Sequence, residues 1–215
     1  MAEEAQGDNN VIFPEYEDCE KCEALYKLRT QMVWGTGNEK ADIVFVAEGP
    51  GKDEDINGRP FVGQAGQFLD QFFDQAGIVR NEIYLTNTVL CRATRPHVED
   101  GTLANRPPTS EEVGNCIDRL RREIVAVDPI LVVALGATAA TALYGKKLSI
   151  TKARGTPVDI SIRTDNDLII SYPMLPVFHP ALMLRTRSQE QIGQTVEDLR
   201  LAKRVVDRYK ERTGP

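Results

Sequence analysis

The sequence predicts an α/β fold: a three-layer α/β/α sandwich around a central, mostly parallel, four-stranded sheet. Three observations lead there. Four short apolar runs, Ile43–Val46, Ile83–Thr86, Ile130–Leu135 and Leu175–Phe178, have strand length and little polar alternation. Stretches with apolar residues at helical spacing lie between and after them. Strands that alternate with helices build a parallel sheet covered on both faces. A chain of 215 residues, 41% of them hydrophobic, is long enough for one such domain with a full core.

The elements follow in order. Residues 1–14 read as a disordered acidic tail and 15–215 as a single domain. After the first strand comes Ala47-Glu48-Gly49-Pro50-Gly51-Lys52-Asp53-Glu54-Asp55, then Gly58-Arg59-Pro60-Phe61-Val62-Gly63. Its glycines and prolines argue against regular structure. Gly63 and Gly66 open an apolar helix that includes Phe68, Leu69 and Phe72 and reaches Ala76. Thr109 or Ser110, followed by Glu111-Glu112, reads as the start of a helix running to Val127. Gly136–Leu143 is small and alanine-rich, suited to close packing on a sheet. Ile160–Ile162 and Leu168–Ile170 read as a hairpin turning at Asp165-Asn166. Glu190–Arg212 is a long amphipathic helix, with Ile192, Val196, Leu199, Val205 and Val206 near one stripe.

The net charge of −6 argues against a nucleic-acid binder until it is mapped. Glu3, Glu4, Asp8, Glu15, Glu17 and Asp18 account for all of it, and the remainder of the chain is neutral. Lys146, Lys147, Lys152 and Arg154 cluster in one loop, Arg185 and Arg187 in another. Such loops permit contact with phosphates without requiring it. No apolar run has the length of a membrane span. The start, Met-Ala-Glu-Glu, lacks a basic-then-apolar leader, so the expected compartment is the cytoplasm, with no membrane partner.

The loop after the first strand is the richest in chemistry. It leaves the carboxyl end of a strand, where open α/β sheets place their ligand crevice. It combines carboxylates (Glu48, Glu54, Asp55), an aromatic ring (Phe61) and glycine backbone that a ligand can approach closely. That combination suits a small planar ligand. The cysteines give a second signal. Cys19-x-x-Cys22 has the spacing for two thiolates on one metal centre. Cys91 and Cys116 complete a four-thiolate set only if the fold brings them near. Such a set serves a [4Fe–4S] cluster or structural zinc, and spacing alone does not choose between them. In a cytosolic protein, disulfides are rare.

Taken together, these motifs resemble the family 4 uracil-DNA glycosylases, the iron–sulfur members of their superfamily. The resemblance runs from about Cys19 to the C-terminal helix. It rests on Glu48-Gly49-Pro50-Gly51 with Glu54-Asp55 and Gly58-Arg59-Pro60-Phe61-Val62-Gly63. It rests also on Tyr84–Arg92, Asn105-Arg106-Pro107-Pro108-Thr109, Leu135–Ala139 and Phe178-His179-Pro180-Ala181 with Arg185 downstream. The family usually has Ala at the position of Gly49. The segment between Cys91 and Cys116 is longer than the family pattern, and its extra residues, around His97 to Thr102, read as a surface loop. The DNA-crosslinking branch carries a histidine in a basic loop, and Gly145–Gly155 has none.

The resemblance implies a monofunctional enzyme that flips uracil out of single- or double-stranded DNA and hydrolyses its N-glycosidic bond. It implies [4Fe–4S] ligation by Cys19, Cys22, Cys91 and Cys116, with zinc the lesser alternative, and a monomer. Phe61 is expected to stack on the base beside Gly49. Asn87 would read the uracil edge, because its amide offers one donor and one acceptor for O4 and N3–H. His179 would stabilise charge developing on O2. Glu48 and Glu54 compete for the water or the oxocarbenium-like sugar, and Asp55 would brace the loop. Leu182 supplies an apolar wedge, and Arg185, Lys152 and Arg154 contact DNA. The site motifs lack a lysine for Schiff-base chemistry, hence monofunctional. Two alternatives remain at this point: a glycosylase for hypoxanthine or xanthine, and a non-catalytic uracil- or DNA-binding module.

Overall fold

A computed structural model describes residues 13–96 and 102–214. A 3-10 turn at Pro14–Tyr16 precedes α1 (Glu23–Leu28), β1 (Thr36–Gly37) and β2 (Ile43–Ala47). Then come α2 (Lys52–Asn57), α3 (Gln64–Ala76) and β3 (Tyr84–Asn87). A small ladder of β4 (Thr94–Pro96) and β5 (Leu103–Asn105) leads to α4 (Ser110–Val127), β6 (Leu131–Leu135) and α5 (Ala137–Tyr144). The chain finishes with α6 (Ile150–Ala153), β7 (Val158–Arg163), β8 (Ile169–Val177), α7 (Pro180–Thr186) and α8 (Gln189–Thr213).

The main sheet has six strands in the order β1-β3-β2-β6-β8-β7, not the four expected. The four expected strands form its parallel centre, β3-β2-β6-β8. Antiparallel edges add β1 on one side and β7 on the other. β1 is two residues long and carries no apolar run to announce it. The predicted hairpin arm at 168–170 and the predicted strand at 175–178 belong almost wholly to one nine-residue strand, β8. Pro173 breaks the sequence pattern between them, because proline donates no ladder bond, and Pro176 lies within the second run. The strand continues through both, opposite Asp159 and Ala134, and the Pro176 carbonyl accepts from Gly155 N–H at 3.0 Å.

β2, β3 and β6 bury both faces, as does β8 over its parallel stretch, Met174–Val177. Odd-numbered residues of β2, including Phe45, pack with α3, α7 and α8 through Leu69, Met183 and Leu199. Even-numbered ones, Val44 and Val46, pack with α4 and α5 through Leu120, Ile124, Ala139 and Ala140. The three layers of the sandwich follow from this alternation.

The first loop contains a helix that its composition argued against. Gly51 and Gly58 stand at the two ends of α2 rather than inside it. Gly58 ends the helix at φ 68°, a left-handed conformation open to glycine. Of the predicted tail, residues 1–12 lie outside the described residues. Phe13 is buried beneath the Arg122 guanidinium, 4.5 Å from its ring centroid. Around the expected surface loop, β4 and β5 pair antiparallel, and residues 97–101, His97 included, lie outside the described residues.

Candidate active site

The carboxyl ends of the four parallel strands open on one cleft of about 440 Å³. Ala47, Asn87 and Leu135 stand at the ends of β2, β3 and β6, and His179 just beyond β8. The chain leaves β2 to one side for β3 and later continues on its other side with β6, so the cleft sits at a topological switch point. Glu48, Gly49, Glu54, Phe61, Leu182 and Arg185 also line it. A second hollow, of about 520 Å³, lies at the amino end of β6 between Asp128, Tyr172 and Tyr209 and contains none of the motif residues.

Asn87 is 3% exposed at the cleft floor. Its backbone is tied down on both sides. Next to it, Thr88 N–H and Oγ1 both donate to the Ala47 carbonyl at 2.8 Å. Its side-chain amide makes no hydrogen bond with the described residues, which leaves one donor and one acceptor for a ligand.

Phe61 is held in a conformation uncommon for a side chain, at φ 57°. Arg80 donates to its carbonyl at 3.1 Å and pairs with Asp70. Gly66 permits this geometry, since a Cβ there would lie 1.9 Å from the Phe61 oxygen. Backbone strain that the surroundings hold in place is common where a ring must face a ligand. Gly49 is similarly constrained, because a Cβ would meet Val89 Cγ2 at 2.8 Å. The alanine usual in the family would need Val89 to move.

His179 is the N-cap of α7, and Pro180 follows at its first position. Its Nδ1 accepts from Ala181 N–H at 3.2 Å. The single proton of the neutral ring is therefore on Nε2, free to donate. Burial, then the charge of Arg185, pushes its pKa down to about 4. The ring is a neutral donor near pH 7.

The two competing glutamates occupy different environments. Glu48 is half-buried, and Thr138 Oγ1 donates to its Oε2 at 2.5 Å. Glu54 spends both oxygens on backbone: Oε2 accepts from Gly51 N–H at 3.0 Å and Oε1 from Gly63 N–H at 2.9 Å. Those bonds cap α2 and α3. Asp55 is 2% exposed and accepts from Thr30 N–H through both oxygens, at 3.0 and 3.1 Å.

The predicted DNA contacts divide. Arg185 is exposed at the cleft rim with no partner among the described residues, and Lys152 is exposed on α6. Leu182 is half-buried against the core, while its neighbour Leu184 is exposed. Arg154 faces inward. Its Nε and Nη2 donate to Asp198 at 2.8 and 2.6 Å, Nη2 also reaches the Gln194 carbonyl, and the guanidinium lies 5.5 Å from the Phe178 ring centroid. A guanidinium committed to a carboxylate in this way is a structural tie and leaves fewer donors for a phosphate.

The four cysteines line one cavity with Tyr16, Leu25 and Arg29. Arg29 Nη1 donates to Cys91 Sγ at 3.1 Å, and Asn115 Nδ2 to Cys22 Sγ at 3.3 Å. Burial pushes the Cys91 thiol up to about 11, against the pull of Arg29. Among the described residues, no three or more His, Cys, Asp or Glu come together closely enough to hold a single metal ion. The donor set itself, four thiols around a cavity with N–H groups aimed at two sulfurs, suits metal–thiolate chemistry.

Sequence reasoning assigned no role to Thr138, Ile150, Asn105 or Arg106, all of which line the cleft. Thr138 stood inside a quoted motif, yet its bond to Glu48 spans ninety residues and has no local signature. Arg119 was also missed. It lies one turn after Cys116 on the buried stripe of α4, with Leu120 and Glu123, and a charge on such a stripe is a signal.

The sequence profile of the uracil DNA glycosylase superfamily matches residues 34–200. The chain is 41% identical over 193 residues to the type-4 uracil-DNA glycosylase of Thermotoga maritima, covering 88% of this chain and 92% of that protein. It is 37% identical to the type-4 enzyme of Archaeoglobus fulgidus over 177 residues, 80% of this chain and 81% of that one. It is 36% identical to that of Saccharolobus solfataricus over 182 residues, 81% of this chain and 76% of that one. With the switch-point cleft and its Glu48, Phe61, Asn87 and His179, these matches place the chain in the type-4 branch of the uracil DNA glycosylase superfamily.

Proposed function

We propose that this protein is a monofunctional uracil-DNA glycosylase, a hydrolase that leaves an abasic site for base excision repair. The observation that carries the reading is the cleft floor: among the described residues the Asn87 amide has no partner, and the neutral His179 has Nε2–H free. A uracil flipped from single- or double-stranded DNA stacks on Phe61. The Asn87 amide N–H₂ donates to O4, and its carbonyl oxygen accepts from N3–H. Cytosine reverses this pattern and leaves buried groups unpaired.

As the C1′–N1 bond breaks, negative charge grows on uracil O2. His179 Nε2–H meets it there, already oriented by its bond from Ala181 N–H. The sugar becomes oxocarbenium-like. Glu48, oriented by Thr138, faces it and holds the attacking water. Glu54 is the weaker candidate, because its lone pairs serve Gly51 and Gly63. Arg185 and Lys152 hold phosphates, and Leu182 fills the stack beside the extruded base.

We infer that Cys19, Cys22, Cys91 and Cys116 hold a [4Fe–4S] cluster. Four separated thiols suit a group in which each iron takes one thiolate. Zinc would need all four sulfurs about 2.3 Å from one point. The cluster, when bound, supplies a clamp between the N-terminal segment, the loop after β3 and α4. We further infer a cytoplasmic monomer with one domain and a short acidic tail.

The test is cleavage of uracil-containing oligonucleotides, single- and double-stranded, with alkali afterwards to break abasic sites. The expected result is cleavage at uracil and none at cytosine. Cleavage at hypoxanthine with uracil left intact would overturn the reading.

A further inference from the structure

We propose that Arg119 is a positioning residue for uracil recognition, acting through the backbone of Asn87. The proposal rests on the uracil reading above.

Arg119 is fully buried, on the α4 face that packs under the end of β3. Its Nη2 donates to the Asn87 carbonyl at 2.7 Å and to the Thr88 carbonyl at 3.1 Å. Its Nη1 donates to Thr86 Oγ1 at 3.3 Å and pairs with Glu123, which is 2% exposed. Glu123 also accepts from Tyr84 OH and from Thr86 Oγ1, each at 2.8 Å. The guanidinium thus touches three successive residues, 86 to 88, at the carboxyl end of β3. Space for this arrangement comes from Gly35, where a Cβ would lie 2.3 Å from Glu123 Oε1 and 2.5 Å from Tyr84 OH.

A buried charge of this kind is costly to desolvate, and a hydrophobic substitute would often serve stability as well. Its location suggests what it does instead. Reading a base edge requires a fixed amide, yet no described side chain braces the Asn87 amide. Restraint therefore has to come from the main chain. On one side Ala47 and Glu48 accept from Thr88 and Val89 N–H. Those bonds hold the N–H groups only. The carbonyls of Asn87 and Thr88 stand at the end of the β2–β3 ladder, and one nitrogen of the guanidinium, Nη2, receives both while Nη1 pairs with Glu123. Lysine can replace the charge but has one nitrogen, which cannot hold both carbonyls while a second nitrogen pairs with Glu123 and Thr86.

The role differs from general stabilisation in one respect: it passes through Asn87. The experiment is a double-mutant cycle on the full-length, metal-loaded protein. Single-turnover excision of uracil is measured for wild type, Arg119→Lys, Asn87→Ala and the pair, alongside the Kd for a duplex carrying a synthetic abasic site. Arg119→Lys is expected to slow excision about 10- to 100-fold, the scale of a small misplacement of a reacting partner. In the Asn87→Ala background the same change should cost less than about threefold. Affinity for the abasic duplex, which has no base to read, should stay near wild type. Tyr84→Phe, which removes one bond to Glu123 and leaves the guanidinium bonds, should lower Tm yet excise at the wild-type rate.

Equal costs in both backgrounds would overturn the proposal, as would a wild-type rate for Arg119→Lys. Arg119→Gln is the second variant. If neither variant keeps the wild-type circular-dichroism spectrum, Arg119 is a requirement of the fold and the proposal falls. A wild-type chain inert on uracil would instead sink the reading on which the proposal rests.

Discussion

His179 carries one proton, and the fold decides where it sits. Ala181 N–H occupies Nδ1, so Nε2 must donate. His179→Ala should therefore slow single-turnover excision about 100-fold or more while changing DNA affinity little, because its bond strengthens as charge reaches O2. Equal losses in rate and affinity would place the residue in ground-state binding. The same burial predicts a pH effect on stability. The folded ring, at about 4, refuses a proton that an unfolded histidine near 6.5 accepts. Stability should fall as pH drops from 6.5 towards 4, and more steeply in wild type than in His179→Ala, as read from Tm against pH. Asn87→Asp makes the complementary prediction at the other edge of the base. It removes the donor to O4 and sets a carboxylate near a developing anion. Loss of such a contact costs about 1–3 kcal/mol, and excision within about threefold of wild type would remove Asn87 from this role. Their roles came from the family resemblance, but the place of both in the cleft was legible for one reason. Each stands at the end of an apolar run, where a strand must stop and a polar side chain meets the crevice. Thr138 was not, since what makes it matter is a contact with a residue distant in sequence, and Arg119 carried only the signal of a charge on a buried stripe.

Among the elements, α2 shows how composition misleads. Glycine and proline in the first loop read as irregular backbone, but Gly51 and Gly58 bound a helix whose capping acid is Glu54. The two glutamates should respond differently to loss of charge. Glu48→Gln should abolish most excision and leave Tm nearly unchanged. Glu54→Gln should lower Tm, because it weakens charge-assisted bonds to two helix N-termini, each worth about 1 kcal/mol, and should reduce the rate less. The reverse pattern, in paired melting and single-turnover measurements, would exchange their roles. The β8 strand carries a related lesson. Pro173, between the two expected arms, made one strand look like two, although the apolar residues of its second half already marked where it enters the core.

For the molecule as a whole, the parallel centre and its helical layers were legible because buried strands and amphipathic helices must advertise themselves in hydrophobicity. The edges were not, since β1 has two residues and makes no such demand. The cysteines were legible as a set, and the fold brings all four to one cavity from segments as far apart as residues 19 and 116. The purified protein should be brown and contain about four irons per chain. Zinc without iron after anaerobic purification would refute the cluster. Cys19→Ser should lose metal and loosen residues 13–30, whose polar sequence has little core of its own, as seen by faster amide exchange there.

Gly35 gives the cleft an unseen dependency. It touches neither the pocket nor the cysteines, yet a methyl group there would collide with Glu123 and Tyr84. A survey of random variants that ranked positions by distance from the substrate would score this glycine as neutral. Any larger residue should instead behave as a remote lesion, sparing DNA attachment while blurring the distinction between uracil and cytosine. If Asn87 reads the base as proposed, base selection depends on what the chain leaves out at one position as much as on what it presents at the crevice.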